Sequence, residues 1–72
     1  MLPVLSGKEI VRIFESLGWE VSRQRGSHIV MTKPGETVTL SIPSHKEVAR
    51  GTLRSLIRPA NLTVEEFIKV IK

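Results

Sequence analysis

The chain has 72 residues and a net charge of +4 at neutral pH, and it contains no cysteine. At this length roughly 60% of the unfolded chain's surface can be buried, so we expect one domain over residues 1–72 with its functional groups at the surface. Without cysteine, disulfides and zinc–thiolate sites are excluded, and a reducing, cytoplasmic location is predicted. Apolar stretches are short and interrupted by charges, so neither a membrane span nor a signal peptide is predicted.

Positive charge is concentrated in the middle of the chain. Residues 21–58 carry a net charge of +5, from seven Lys or Arg and two Glu, whereas the flanking segments are close to neutral. Such a field favours a polyanionic partner over a neutral metabolite. Aspartate is absent and most glutamates are scattered. We therefore expect neither a metal centre nor a bound cofactor.

The first helix is predicted from its two ends. Ser6 and Glu9 form the spacing of a capping box, in which each side chain bonds the free backbone amide of the other residue. Apolar residues then repeat at helical spacing as far as Leu17, and Gly18 stands where a left-handed residue ends a helix. Trp19 is expected to pack back onto the last turn.

Three strands follow, at residues 19–25, 27–33 and 37–43. Alternation places Trp19 and Val21 toward the core, which also puts Arg23 and Arg25 on the core side. That conflict disappears if this end of the first strand overhangs the core.

Two turns separate the strands, at Gly26-Ser27 and Pro34-Gly35. The third strand has the clearest alternation, with three apolar residues directed inward: Val38, Leu40 and Ile42.

A second helix is predicted to begin at Gly51-Thr52, or at Arg50 if the helix extends back by one residue. Asn61, which tolerates a left-handed backbone, stands after it. Thr63 and Glu66 then form a second capping box before a short third helix. The order α-β-β-β-α with an extra C-terminal helix predicts an α+β fold, with a three-stranded antiparallel sheet that carries helices on one face.

His28 is the candidate for proton transfer. Alternation turns Ile29 and Met31 inward and His28 outward, although the apolar Val30 leaves the opposite register open. Imidazole exchanges protons near neutral pH, and a positioned group of this kind accelerates reactions typically 10²- to 10⁴-fold. RNA supplies its own nucleophile, the 2′-hydroxyl, so one such group beside cations is sufficient chemistry for RNA but not for DNA. A surface or hydrogen-bonding role for His28 remains the simpler interpretation of these residues alone.

Five short motifs occur in one order from about Ser6 to Phe67. They are Gly7-Lys8-Glu9, Leu17-Gly18-Trp19, Arg25-Gly26-Ser27-His28, Pro43-Ser44-His45 and Gly51-Thr52-Leu53-Arg54. Together they resemble the HicA family of small toxin endoribonucleases. The resemblance implies a fold like that of double-stranded-RNA-binding domains, mRNA as the substrate, and a HicB-type antitoxin that masks the active site. It implies His28 as the catalytic residue, with supporting roles for Ser27 and His45.

Charge and predicted geometry, rather than the family, nominate the RNA-binding residues. They are Arg23, Arg25, Lys33, Lys46, Arg50 and Arg54. Arg58 is excluded because it lies at the far end of the second helix. Two other functions fit the same residues, namely an RNA-binding module of the same fold without catalysis, and a protein-interaction subunit whose basic face meets an acidic partner.

Overall fold

A three-stranded antiparallel sheet and three helices make up residues 2–71, the part of the chain that this computed structural model describes. The elements, in chain order, are α1 (Gly7–Ser16), β1 (Glu20–Arg25), β2 (His28–Thr32), β3 (Leu40–Pro43), α2 (Arg50–Ile57) and α3 (Val64–Ile71). The strand order in the sheet is β1-β2-β3. The predicted α+β architecture, that of double-stranded-RNA-binding domains, is confirmed.

One apolar core joins the helices to one face of the sheet. Met31 and Ile42 contribute to it from β2 and β3 and are both 0% exposed. The ring of Phe14 in α1 lies 5.6 Å from that of Phe67 in α3 and 6.2 Å from that of Trp19. Each such side chain stabilises the fold by about 1.5–3 kcal/mol through burial. Within residues 2–71 the buried side chains are all apolar, so polar chemistry is confined to the surface.

Both ends of α1 follow the predicted local chemistry. The Ser6 hydroxyl accepts the Glu9 amide at 3.1 Å, and the Glu9 carboxylate accepts the Ser6 amide at 2.9 Å. At the other end Gly18 has a φ of 97°. The Trp19 amide donates to the Phe14 carbonyl at 2.9 Å, as in a Schellman motif, and this bond directs Trp19 into the core.

A β-bulge in β1 corrects the predicted overhang. Val21 pairs with Met31, but the next partner pair is Arg23 with Val30, so one strand advances two residues while the other advances one. The extra residue reverses which parity faces the core. Beyond the bulge, Arg23 therefore lies on the same outer face of the sheet as Val30. The arginines avoid the core because the bulge changes the pairing register, and not because the end of β1 overhangs the core.

The third strand is shorter than predicted. It begins at Leu40, and Val38, expected in the core, is 38% exposed. The register that pairs Met31 with Leu40 would set Lys33 opposite Val38. The turn instead joins Lys33 to Glu36, through a 3.0 Å bond from the Glu36 amide to the Lys33 carbonyl. The two pairings of Lys33 differ by two residues, so residues 37–39 cannot pair with β2.

The last two helices begin differently. α2 begins at Arg50, with no side-chain cap at Ala49. Asn61 adopts the predicted left-handed conformation, with a φ of 62°. The capping box before α3 is present: the Glu66 carboxylate accepts the Thr63 amide at 2.8 Å, and the Thr63 hydroxyl accepts the Glu66 amide at 3.1 Å. None of the helices within residues 2–71 has the length and apolarity needed to cross a bilayer.

Candidate functional site

His28 is the first residue of β2 and lies between the last residues of the other two strands. It pairs with Arg25 on one side and with Pro43 on the other. Directly opposed residues point to the same face, with Cβ atoms about 5 Å apart. Met31 is fully buried and Ile29 packs against the core, so the alternate residues of β2, including the exposed His28, face away from the helices.

Two arginines share that outer face. Arg25 lies opposite His28, and the bulge brings Arg23 opposite Val30, two residues along the same face. Both guanidinium-bearing residues are exposed. We call Arg23, Arg25 and His28 the His28 patch. It joins an imidazole and two permanent cations on a sheet face that none of the helices described within residues 2–71 covers.

The turn before His28 is held by its neighbours. Gly26 has a φ of 58° and occupies the first central position of a two-residue hairpin turn, where glycine is favoured. The Gln24 side-chain amide donates to the Gly26 carbonyl at 3.3 Å. The Ser27 carbonyl accepts the Ser44 amide at 2.6 Å, which ties the turn to the segment after β3. The backbone of Ser27 therefore helps to hold the turn before His28 in place.

The segment after β3 and the start of α1 form a pocket of about 180 Å³. Its lining residues are Ser6, Lys8, Ser44, His45 and Lys46. We call this the Lys8–Lys46 pocket. The sequence nominated His45 and Lys46 but not Ser6, Lys8 or Ser44. Ser6 was noted only for its capping box, and Lys8 only within the Gly7-Lys8-Glu9 motif.

The remaining nominated residues are not brought to His28. Lys33 follows the far end of β2, roughly 16 Å along the strand from His28, and its side chain lies beside Gly18. The Arg50 Nε donates to the Leu2 carbonyl at 2.7 Å, a structural bond that anchors the N-terminal segment. Arg54 is exposed on α2, in the helical layer. The fold therefore does not bring all six nominated Lys and Arg residues together on one surface.

Acidic groups are arranged for structure. Hydrogen bonds from the Ser6 amide and hydroxyl, with a smaller contribution from Arg12, hold the pKa of the Glu9 carboxyl below its ordinary value. Within residues 2–71 no three side chains of His, Cys, Asp or Glu converge in a way that would hold a metal ion.

The described residues form a small α+β domain whose fold is like that of double-stranded-RNA-binding domains. A family model described as the HicA toxin of bacterial toxin-antitoxin systems matches residues 7–62. The match covers well over half of the chain, so the chain belongs to the HicA toxin family. Membership confirms the resemblance read from the motifs, assigns a toxin role and implies an antitoxin partner. Comparison with curated proteins and with solved structures found no match.

Proposed function

We propose that this chain, as one domain over residues 1–72, is an endoribonuclease that cuts mRNA and arrests growth, with His28 as general acid or base and no metal requirement. The observation that carries the proposal is the pairing of His28 with Arg25 on the uncovered face of the sheet. An accessible imidazole can transfer a proton, and a guanidinium beside it can stabilise developing negative charge, two contributions that favour RNA cleavage.

The chemistry follows from the substrate. The 2′-oxygen attacks the neighbouring phosphorus while the bond from phosphorus to the 5′-oxygen breaks, which leaves a cyclic phosphate and a free 5′-hydroxyl. One proton must leave the 2′-hydroxyl and one must reach the 5′-oxygen. Either neutral imidazole at His28 accepts the first proton while water supplies the second, or protonated imidazole supplies the second while water accepts the first. Arg25 and Arg23 stabilise the negative charge that develops on the phosphorane oxygens.

The test uses purified wild type and His28→Ala with single-stranded RNA and with DNA, in excess EDTA. We expect the wild type to cut RNA and spare DNA, and the variant to lose about 10²- to 10⁴-fold in rate. Equal thermal midpoints would show that the variant is folded. Equal RNA decay and growth arrest on expression of the two proteins in bacteria would contradict the role of His28.

The same assay separates the other two functions. Retention of RNA without cleavage by the wild type would assign the chain to the RNA-binding modules, which share this fold. No affinity for RNA at low salt would instead assign it to the protein-interaction subunits, since phosphate contacts strengthen as salt falls.

We further propose that the antitoxin partner is a HicB-type protein that covers the His28 patch, and that the complex forms in the cytoplasm. The support is the uncovered, cationic outer face, which suits an acidic partner. Co-expression with a HicB-type protein should yield a complex that no longer cuts RNA. Arg23→Glu/Arg25→Glu should weaken that complex, and unchanged binding by this variant would place the interface elsewhere.

A further inference from the structure

The Lys8–Lys46 pocket presents cations and hydroxyl groups. Three of its five lining residues, Lys8, His45 and Lys46, can carry positive charge, and the other two are serines. Lysine ammonium groups are donors only, and the Ser44 hydroxyl can donate. Glu9 does not line the pocket, but its carboxylate is hydrogen-bonded to the amide and hydroxyl of Ser6, which does. With three residues able to carry positive charge against this one neighbouring carboxylate, the lining favours an anion over a cation.

The walls of the pocket are fixed by backbone contacts. The Gly7 amide donates to the His45 carbonyl at 2.9 Å. Gly7 also packs so closely on the Pro43 carbonyl that a Cβ atom there would collide with it. The amides of Ser6, Gly7 and Glu9 are already bonded, so the fixed positive charges at the pocket are those of the Lys8 and Lys46 side chains.

The pocket adjoins the His28 patch through the backbone. Pro43 is the cross-strand partner of His28, and the next residue, Ser44, lines the pocket. Ser44 also donates its amide to Ser27, the residue before His28, at 2.6 Å. The pocket and the candidate proton-transfer group therefore meet at one end of the sheet, with the pocket on the side of α1.

We propose that the Lys8–Lys46 pocket binds a backbone phosphate of the RNA next to the one that is cut. This inference rests on the proposed function, because the RNA must place its scissile phosphate at the His28 patch. A polynucleotide carries a charged phosphate at every step, so a strand held at His28 has a phosphate on each side of the scissile one, and the pocket begins at Ser44, one residue beyond the partner of His28. The pocket positions the strand, and the His28 patch performs the chemistry.

The test compares Lys8→Gln/Lys46→Gln with Lys69→Gln, which removes one charge from the exposed side of α3. In cleavage of single-stranded RNA we expect the pocket variant to raise KM about 10-fold, with kcat little changed, and Lys69→Gln to match the wild type. For every phosphate that the protein no longer neutralises, the slope of log affinity against log salt should fall by about 0.7.

To identify the phosphate that the pocket binds, one RNA phosphate at a time is replaced by a neutral methylphosphonate. At one position beside the scissile bond the replacement should weaken binding to the wild type. It should not weaken binding to the pocket variant any further, because that variant has already lost the same interaction and the two losses are therefore not additive. Additive losses at every position, or a pocket variant that behaves like Lys69→Gln, would overturn the proposal.

Two further outcomes keep this proposal separate from the proposed function. If the wild type does not cut RNA, the same variants are compared by RNA affinity, where equal affinities overturn the pocket and a selective loss supports it. Inorganic phosphate is also titrated into the protein while the NMR signals of the Ser44 and His45 amides are followed. If these signals shift and added RNA does not displace the phosphate, the pocket is a site for free phosphate, and its role in RNA binding is overturned.

Discussion

Arg25 lies directly opposite His28 across the β1–β2 pair, on the face of the sheet that the helices leave uncovered. Under the proposed function, a cation at that position would stabilise charge on a phosphate held at His28. The two residues should then differ in what their loss does, because the proposal gives His28 a proton transfer and Arg25 a fixed charge.

Arg25→Gln should therefore slow RNA cleavage by about 10²-fold, the usual effect of removing one charge-stabilising donor. The rate is measured in single-turnover cleavage with enzyme in excess, so that weaker binding does not obscure the chemical step. Arg58→Gln is the matched control, because it removes the same charge from the far end of α2. Equal rates for the two variants would remove Arg25 from the site.

The bulge in β1 can be tested with two single-residue deletions. Deleting Ser22 should give a regular strand in which Arg23 still lies opposite Val30. Deleting Gln24 also removes the bulge, but it sets Arg23 opposite Ile29 and so turns it to the helix side. We expect the first deletion to keep the RNA affinity of the wild type. The second should reduce the slope of log RNA affinity against log salt concentration by about 0.7, because Arg23 no longer contacts a phosphate. Identical affinities in the two deletions would show that Arg23 contributes nothing from the outer face.

Gly7→Ala should destabilise the fold by about 1–3 kcal/mol, as overpacking does. The new Cβ would collide with the Pro43 carbonyl and would lie 3.1 Å from the Ser44 Cα, so the end of β3 that pairs with His28 must move. Gly51→Ala, in the first turn of α2, meets no atom within 4 Å and should stabilise by roughly 0.5–1 kcal/mol. Urea unfolding measures both, and a neutral Gly7→Ala would contradict the close contact.

The Glu9 capping bond predicts a dependence of stability on pH. Hydrogen bonding from the Ser6 amide is the main cause that lowers the pKa of Glu9 in the folded chain below its ordinary 4.5. A lowered folded-state pKa means that the stabilisation is present above that ordinary value and is lost as the pH falls through the folded value. Glu9→Gln should therefore be less stable than the wild type at pH 7, and the difference should shrink in acid. A difference in unfolding free energy that is the same at pH 7 and at pH 3 would be inconsistent with the ionised cap.

Features set by neighbouring residues were predictable from the sequence. The two capping boxes, at Ser6–Glu9 and Thr63–Glu66, and the left-handed Asn61 depend on chemistry within one turn of chain, and all three are present. Alternation in β2 favoured an outward His28 but left the opposite register open at Val30, and the structure decides between the two because Met31 is buried and His28 is exposed.

Features set by distant residues were not predictable. The bulge depends on how β1 aligns with β2, and the sequence signalled it only as arginines on the wrong parity. The exposed Val38 results from a mismatch between a turn and the register of β3. Lys8 and Lys46 meet because Gly7 packs against Pro43, a contact that no local pattern announces. Charge and predicted geometry nominated Lys33 for RNA binding together with the residues around His28, but the length of β2 separates Lys33 from His28.

β1 is also an edge strand of the sheet, since in the described part of the chain, residues 2–71, its one partner is β2. Open edges invite pairing with the edge of another molecule, and proteins counter this with bulges and charged side chains. β1 has both, in the irregularity between Val21 and Arg23 and in its two arginines. The same residues that arrange the His28 patch thus protect the chain against edge-to-edge aggregation, so neutralising substitutions there should be screened for solubility as well as for activity.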